Sequence, residues 1–233
     1  CIRQKALQRQ KCGRSFKMDR SRVAIVIPAF QEEKNISKVV KGALKYGLTI
    51  VVDDGSQDET GKVAKKLGAI VEIHKNNLGY DAALNTGFKK AAKLNIDFII
   101  TIDADGQHKT VLLKKIIKLL KSGTSIVLGV RNKKARIAEL LFGLYTKHQY
   151  GILDPLCGLK GYRIESYKLC GYFDSYKSIG TELMLKNIFL GKSFKQVSFT
   201  VKSRDGKTKF GDFILGNFKI FRALFFCMVK KFI

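Results

Sequence analysis

The chain has 233 residues, with 44 Lys and Arg against 19 Asp and Glu, for a formal net charge of +25. That length suits one generous domain or two small ones, and 45% hydrophobic with 27% charged residues excludes a disordered or fibrous chain. The cationic surplus asks for an anionic partner: nucleic acid, an anionic membrane surface, or phosphorylated small molecules. The five cysteines (Cys1, Cys12, Cys157, Cys170 and Cys227) lack the spacing of a disulfide framework or zinc site, so they read as free thiols in a reducing compartment.

Residues 1–21 are expected to be a basic N-terminal arm without fixed structure, carrying Arg3, Lys5, Arg9, Lys11, Arg14, Lys17 and Arg20. No secretory signal is visible, because the apolar run 23–30 ends in Pro-Ala-Phe-Gln-Glu-Glu and suits a buried strand. From there, β-branched runs and helical spacings alternate. Strands are predicted over 23–27, 49–52, 69–73, 97–102 and 125–129, with helices over 35–46, 58–67, 81–94 and 111–121. Asp58 is expected to cap the second helix and Gly68 to stop it. This order predicts an α/β fold, a mostly parallel sheet flanked by helices, with ligands bound beyond the carboxyl ends of the strands. Polar residues collect at those ends, over 28–33, 53–58, 75–81 and 103–108.

Neither a G-x-G-x-x-G after the first strand nor a G-x-x-x-x-G-K-[ST] motif occurs. Asp103-Ala104-Asp105-Gly106-Gln107 stands instead at a strand end. Alternate residues of an extended segment point the same way, so Asp103 and Asp105 can share one centre. Two such carboxylates with the Gln107 amide suit Mg²⁺ or Mn²⁺ completed by substrate phosphates; the bland alternative is a pair of acids capping the next helix.

The stretch 210–233 is the candidate membrane segment. Asp212, Lys219, Arg222 and Lys230 fall on one stripe, leaving Phe213, Ile214, Phe218, Phe221, Leu224, Phe225 and Val229 elsewhere. A charge at mid-bilayer costs about 2.5–3.5 kcal/mol, so an amphipathic helix in the membrane interface fits better than a clean span. A helix packed on the domain is the alternative.

Pro28-Ala29-Phe30-Gln31-Glu32-Glu33, Val51-Val52-Asp53-Asp54-Gly55-Ser56-Gln57-Asp58, Asn77-Leu78-Gly79 and Asp103-Ala104-Asp105-Gly106-Gln107-His108 follow in one order. Over 22–163 the chain resembles the family-2 glycosyltransferases, which have the GT-A fold. The resemblance implies a nucleotide-sugar donor against Pro28, Phe30, Glu32, Asp53, Asp54, Asn77, Gly79, Asp103 and Ala104, with a metal at Asp103 and Asp105. Further on, the chain resembles the dolichyl-phosphate mannosyltransferase and polyprenyl-phosphate glycosyltransferase branch. Gly129-Val130-Arg131 with Arg136-Ile137 is similar to that branch's arginine pair for the acceptor phosphate. Asp154-Pro155-Leu156-Cys157-Gly158 with Gly161-Tyr162-Arg163, Thr181-Glu182-Leu183-Met184, and 204–211 match its later segments. Arg204, Lys207 and Lys209 of the last would form a basic loop near the phosphates. Tyr80, Asp81 and Asn85 replace Lys, Gly and Arg of the usual pattern, which leaves the donor, a GDP- or UDP-hexose, open.

The implied activity is inverting, metal-dependent transfer of a hexose to a polyprenyl phosphate at the cytoplasmic face of a membrane. Its domains would be a GT-A unit over 22–209 and a membrane-interface helix over 210–233. Catalytic weight would rest on Asp105, Arg131 and Arg204, and Glu182 would be either a base for a saccharide hydroxyl or a helix-start acid. An anionic bilayer is the expected partner surface and a membrane subunit a further candidate. A nucleic-acid-binding module is disfavoured, since the basic residues are spread and no aromatic-basic motif appears.

Overall fold

The structure, a computed structural model, describes residues 22–132, 136–201 and 213–229. Seven strands form one sheet: β1 (Val23–Ala29), β2 (Leu48–Asp53), β3 (Ile70–Ile73), β4 (Phe98–Thr101), β5 (Ile126–Arg131), β6 (Lys160–Arg163) and β7 (Phe194–Phe199). Their order is β3-β2-β1-β4-β6-β5-β7, and β6 alone runs against its neighbours. β1, β2 and β4 come from β-branched runs buried on both faces, as a sheet covered by helices requires. In β1, Ala24 and Val26 face one core while Val23, Ile25 and Ile27 face the other.

Three helices cover one face: α1 (Glu33–Ala43), α2 (Thr60–Lys66) and, after β4, α4 (Leu112–Lys121). Ile36, Val39 and Val40 of α1 and Leu113, Ile116, Ile117 and Leu120 of α4 repeat at helical spacing and are buried. The other face carries α3 (Tyr80–Ala92), α5 (Ile137–Tyr150), α6 (Ile164–Cys170), α7 (Glu182–Phe189) and α8 (Phe213–Val229). Helix and strand bounds fall within a few residues of the sequence expectation. Asp58 lies just outside α2, where its Oδ1 accepts the Thr60 N–H at 3.1 Å, and Gly68 ends the turn with φ +93°.

Helix α8 packs on the domain, the alternative reading, and keeps an apolar outer face. Gly216, Ile220, Ala223 and Cys227 are buried against the domain, beside α5, and Asn217 Oδ1 accepts the Ala138 N–H. Leu215, Phe218, Phe221, Phe225, Met228 and Val229 remain exposed, next to exposed Ile137, Leu140, Leu141 and Leu144 of α5. Among the described residues no helix is long and apolar enough to cross a membrane. Of the expected charged stripe, Lys219 (exposed) and Arg222 (half-buried) line an open pocket, while Asp212 and Lys230 lie outside the described residues.

Candidate active site

The carboxyl ends of β1, β2 and β4 open into one pocket of about 800 Å³. Pro28, Phe30 and Glu32 line it from the end of β1. Glu32 is held in place from both sides: its N–H donates to Thr60 Oγ1 at 2.8 Å, and its Oε2 accepts from Asn35 Nδ2 at 3.0 Å.

Asp53 and Asp54 end β2 and are both buried. Asp53 Oδ1 accepts the Ser56 N–H at 2.9 Å, so this carboxylate shapes its own turn and does not line the pocket. Asp54 does line it, and its oxygens are engaged by backbone. Oδ1 accepts the Leu78 N–H at 2.9 Å and the His74 ring nitrogen Nδ1 at 2.7 Å; Oδ2 accepts the Gly79 N–H at 2.8 Å. Asp54 thus fixes the Asn77–Gly79 turn, whose Gly79 has φ +96°, a conformation that costs a side-chain-bearing residue. Asn77 and Gly79 line the pocket as expected.

Asp103 and Asp105 follow β4 and both face the pocket. The Tyr80 hydroxyl donates to Asp103 Oδ1 at 3.3 Å, and His108 Nδ1 lies 3.7 Å from Oδ2. Asp105 Oδ1 accepts the Gln107 N–H at 3.0 Å, closing a tight turn around Gly106. Ala104 is buried in the core, and neither it nor Gln107 lines the pocket. Among the described residues no group of three or more His, Cys, Asp or Glu side chains could hold an ion. Two carboxylates at the mouth of a large pocket fit Mg²⁺ or Mn²⁺ only if substrate phosphates and water complete the shell, the habit of Mg²⁺ at phosphate-transfer sites.

The two arginines singled out for an acceptor phosphate lie elsewhere. Arg131 grips Asp154 through Nε at 2.8 Å and Nη2 at 2.9 Å, and reaches Glu139 Oε2 at 3.1 Å. It does not line the pocket. Arg136 lies over Gly216 of α8, where any Cβ would collide with its guanidinium. Glu182 is buried and accepts from the Ser175 hydroxyl at 2.8 Å, also outside the pocket lining. Arg204, Lys207 and Lys209 fall outside the described residues.

Sequence reasoning missed how α3 and the loop at 173–180 are joined beside the pocket. Asp81 lines the pocket and accepts backbone N–H groups from Gly180 (2.6 Å) and Ile179 (3.2 Å). Burial and the nearby Asp174 charge push its carboxyl up to about 6. Asn85 binds the same loop: its amide oxygen accepts from Phe173 and Asp174 N–H, and its nitrogen donates to Asp174 O at 2.7 Å. Lys160, at the start of β6, is buried and donates to Gly180 O at 2.6 Å; burial pulls its ammonium down to about 8. The signal was present in the departures at Tyr80, Asp81 and Asn85. Asp81 and Asn85 tie α3 to the loop at 173–180, some 90 residues on, while the Tyr80 hydroxyl reaches Asp103.

The sequence model for glycosyl transferase family 2 matches residues 24–167. The UDP-N-acetylglucosamine–dolichyl-phosphate N-acetylglucosaminyltransferase of Methanococcus voltae is 30% identical, over 63% of this chain and 71% of that protein. The dolichyl-phosphate hexose transferase of Haloferax volcanii is 27% identical, over 83% of this chain and 89% of that protein. In three dimensions the chain is similar to glucosyl-3-phosphoglycerate synthase from Mycobacterium tuberculosis, solved with Mn²⁺, uridine diphosphate and phosphoglyceric acid. There the TM-score is 0.70 at 22% identity, covering 88% of this chain and 78% of that one. With the GT-A architecture, the ordered acidic motifs and a matched segment spanning more than half its length, the chain belongs to glycosyl transferase family 2.

Proposed function

We propose that this enzyme moves a hexose from a nucleotide sugar to a polyprenyl phosphate, with inversion at the anomeric carbon, at the cytoplasmic face of a membrane. The observation that carries this reading is the composition of the pocket. It is lined by Asp103 and Asp105 with the Glu32 and Asp54 loops, and also by Lys219 and Arg222 of α8, whose outer face exposes Leu215, Phe218, Phe221 and Phe225. A helix of that kind suits a bilayer interface, and the surrounding cations suit an anionic one. The dolichyl-phosphate acceptors in the relatives' names point the same way.

The donor's base and ribose would rest against Pro28, Phe30, Glu32 and the Asn77–Gly79 turn, with Asp53 and Asp54 holding those loops in shape. Asp103 and Asp105 would hold Mg²⁺ or Mn²⁺, with Gln107 and Ala104 setting the turn; bound there, the ion neutralises the departing nucleoside diphosphate. The acceptor phosphate oxygen attacks the anomeric carbon as the glycosidic C–O bond to the diphosphate breaks, and the electron pair leaves with the diphosphate. A phosphate monoester is already ionised near neutral pH, so no general base is needed. Glu182 is buried behind Ser175, with its carboxylate engaged by that residue's hydroxyl and N–H, which fits that economy better than a base for a saccharide hydroxyl. Arg131 and Arg136 would act by bracing the acceptor side of the fold, and Arg204, Lys207 and Lys209 by adding charge to it.

Labelled UDP- and GDP-hexoses, short polyprenyl phosphates and Mn²⁺ test the reading. The expected product partitions into butanol and releases its hexose in mild acid. Transfer only to free saccharides would overturn the lipid acceptor and return Glu182 to candidacy as a base.

A further inference from the structure

We propose that Lys219 and Arg222 of α8, with Lys177 of the facing loop, bind the phosphate of the acceptor. The proposal rests on the lipid-phosphate reading above and assigns that phosphate to residues which sequence comparison did not single out. Charge on the pocket lining is unevenly distributed. Glu32, Asp54, Asp81, Asp103 and Asp105 come from the strand ends and α3, and the one lining carboxylate on the loop side, Asp174, is turned to its own backbone N–H groups. The cations among the described lining residues are Lys177, Lys219 and Arg222, all from α8 and the loop it touches. A site that handles a diphosphate and a second phosphate must hold the two apart, one on a metal held by acids and the other on cations.

The loop is built to hold this wall. Asp174 directs its carboxylate to its own backbone, accepting the N–H groups of Tyr176 (3.1 Å), Lys177 (2.6 Å) and Ser178 (2.9 Å). Lys177 and Ile179 both have φ +58°, a left-handed conformation that non-glycine residues adopt at a cost and that recurs at ligand sites. The turn presents the carbonyls of Tyr176 and Lys177 outward, and Arg222 Nη2 donates to both, at 3.1 and 2.8 Å. That leaves Nε and Nη1 of a guanidinium already fixed in place as donors for a ligand, which lowers the ordering cost of binding. Lys219 sits three residues earlier on α8, on the same side of the helix.

The flanks of these cations fit the rest of the ligand. Phe218, Phe221 and Phe225 are exposed on α8 beside Lys219 and Arg222. A phosphate on a long apolar chain has the same division, a dianionic head and a greasy tail. Arg131 is poorly placed for the head, since Asp154 and Glu139 already occupy its fork and it lies outside the pocket lining.

The test uses the full chain and geranyl phosphate, a prenyl phosphate soluble without a bilayer, so that loss of membrane attraction cannot imitate loss of the site. Calorimetry in the presence of UDP and Mn²⁺ should show about tenfold weaker binding in Lys219→Gln and in Arg222→Gln. Affinity for UDP with Mn²⁺ should be unchanged, and Lys219→Arg should bind as the wild type does. Lys219 is exposed, so its variants test the site even if Arg222→Gln loosens the loop. Unchanged geranyl phosphate affinity in Lys219→Gln would overturn the proposal, as would a parallel loss of UDP affinity, which would assign the cations to the donor. Inorganic phosphate should bind the wild type more weakly than geranyl phosphate; equal affinity would remove the apolar flank from the site. If wild type binds geranyl phosphate through these cations yet transfers no hexose, the transfer reading fails and the site stands. If wild type and the double variant transfer with the same KM for lipid, the site fails and the transfer reading stands.

Discussion

Replacing Gly158 with Ala is the sharpest test of how the acidic centre is positioned. Gly158 follows Cys157 in the approach to β6, and the Asp103 carboxylate packs directly on its Cα. A Cβ at this position would lie 2.5 Å from Asp103 Cγ and closer still to both oxygens. Two carbons need about 3.5 Å, so the carboxylate must retreat by about 1 Å or β6 must yield. Movement of β6 is resisted, because the Thr101 hydroxyl donates to Gly158 O at 2.6 Å and Lys160 pairs with Thr101 in the ladder. Overpacking of this size costs about 1–3 kcal/mol of stability, and a 1 Å misplacement at a reacting centre costs on the order of a hundredfold in rate. The measurement is Mn²⁺-dependent UDP affinity by calorimetry, beside the unfolding midpoint of the same variant. We expect affinity to fall at least tenfold while the fold survives. A Gly158→Ala protein that binds UDP with Mn²⁺ as tightly as the wild type would refute the placement of Asp103 as a ligand-facing carboxylate.

Two further outcomes follow from buried charge. Arg131→Ala strands Asp154, which is 1% exposed, and should cost about 3–5 kcal/mol in urea unfolding; Arg131→Lys should recover little, since one ammonium cannot span both carboxylate oxygens. A loss below about 1 kcal/mol would show that the pair is not what joins β5 to the Asp154 loop. Asp81 supplies a pH signature. Its carboxyl holds a proton to about 6 when folded against 3.8 as the ordinary value, so the folded state binds more protons in that window. Stability should therefore fall as pH rises from about 4 to about 6, by up to about 3 kcal/mol from this group. The difference in unfolding free energy between wild type and Asp81→Asn should follow that window, and a flat difference would contradict it.

The strand-end loops were legible because their information is local. Each of β1, β2 and β4 ends in a short acidic or polar loop, and Asp103 and Asp105 both line the pocket, brought there by a tight turn and not by strand alternation. Locality does not reveal the second role of Asp53 and Asp54, whose oxygens accept N–H groups of the turns that shape the pocket, which Asp54 also lines. The long-range ties beside the pocket were not legible. Asn85 meets Phe173 and Asp174, Asp81 meets Gly180, and Arg222 meets Tyr176, all across long separations that no periodicity encodes. Lys219 and Arg222 satisfied the rule for a solvated helical stripe equally well, and only the position of α8 beside the loop at 174–180 decides which solvent-facing side is in fact a pocket.

The reversed strand has a consequence for how such a molecule can change. Because β6 runs against β4 and β5, the chain leaves the sheet at Arg131 and re-enters at Lys160 over the same edge. The connection returns to the edge it left, with α5 packed into the core through Ala138 and Phe142 and the Arg131–Asp154 pair closing its base. Length added at the exposed turn around Gly151 need not shift the register of β4, β6 and β5, whereas a change at Gly158 reaches Asp103 directly. Tolerance to insertion and control of the acidic centre thus sit a few residues apart on one connection.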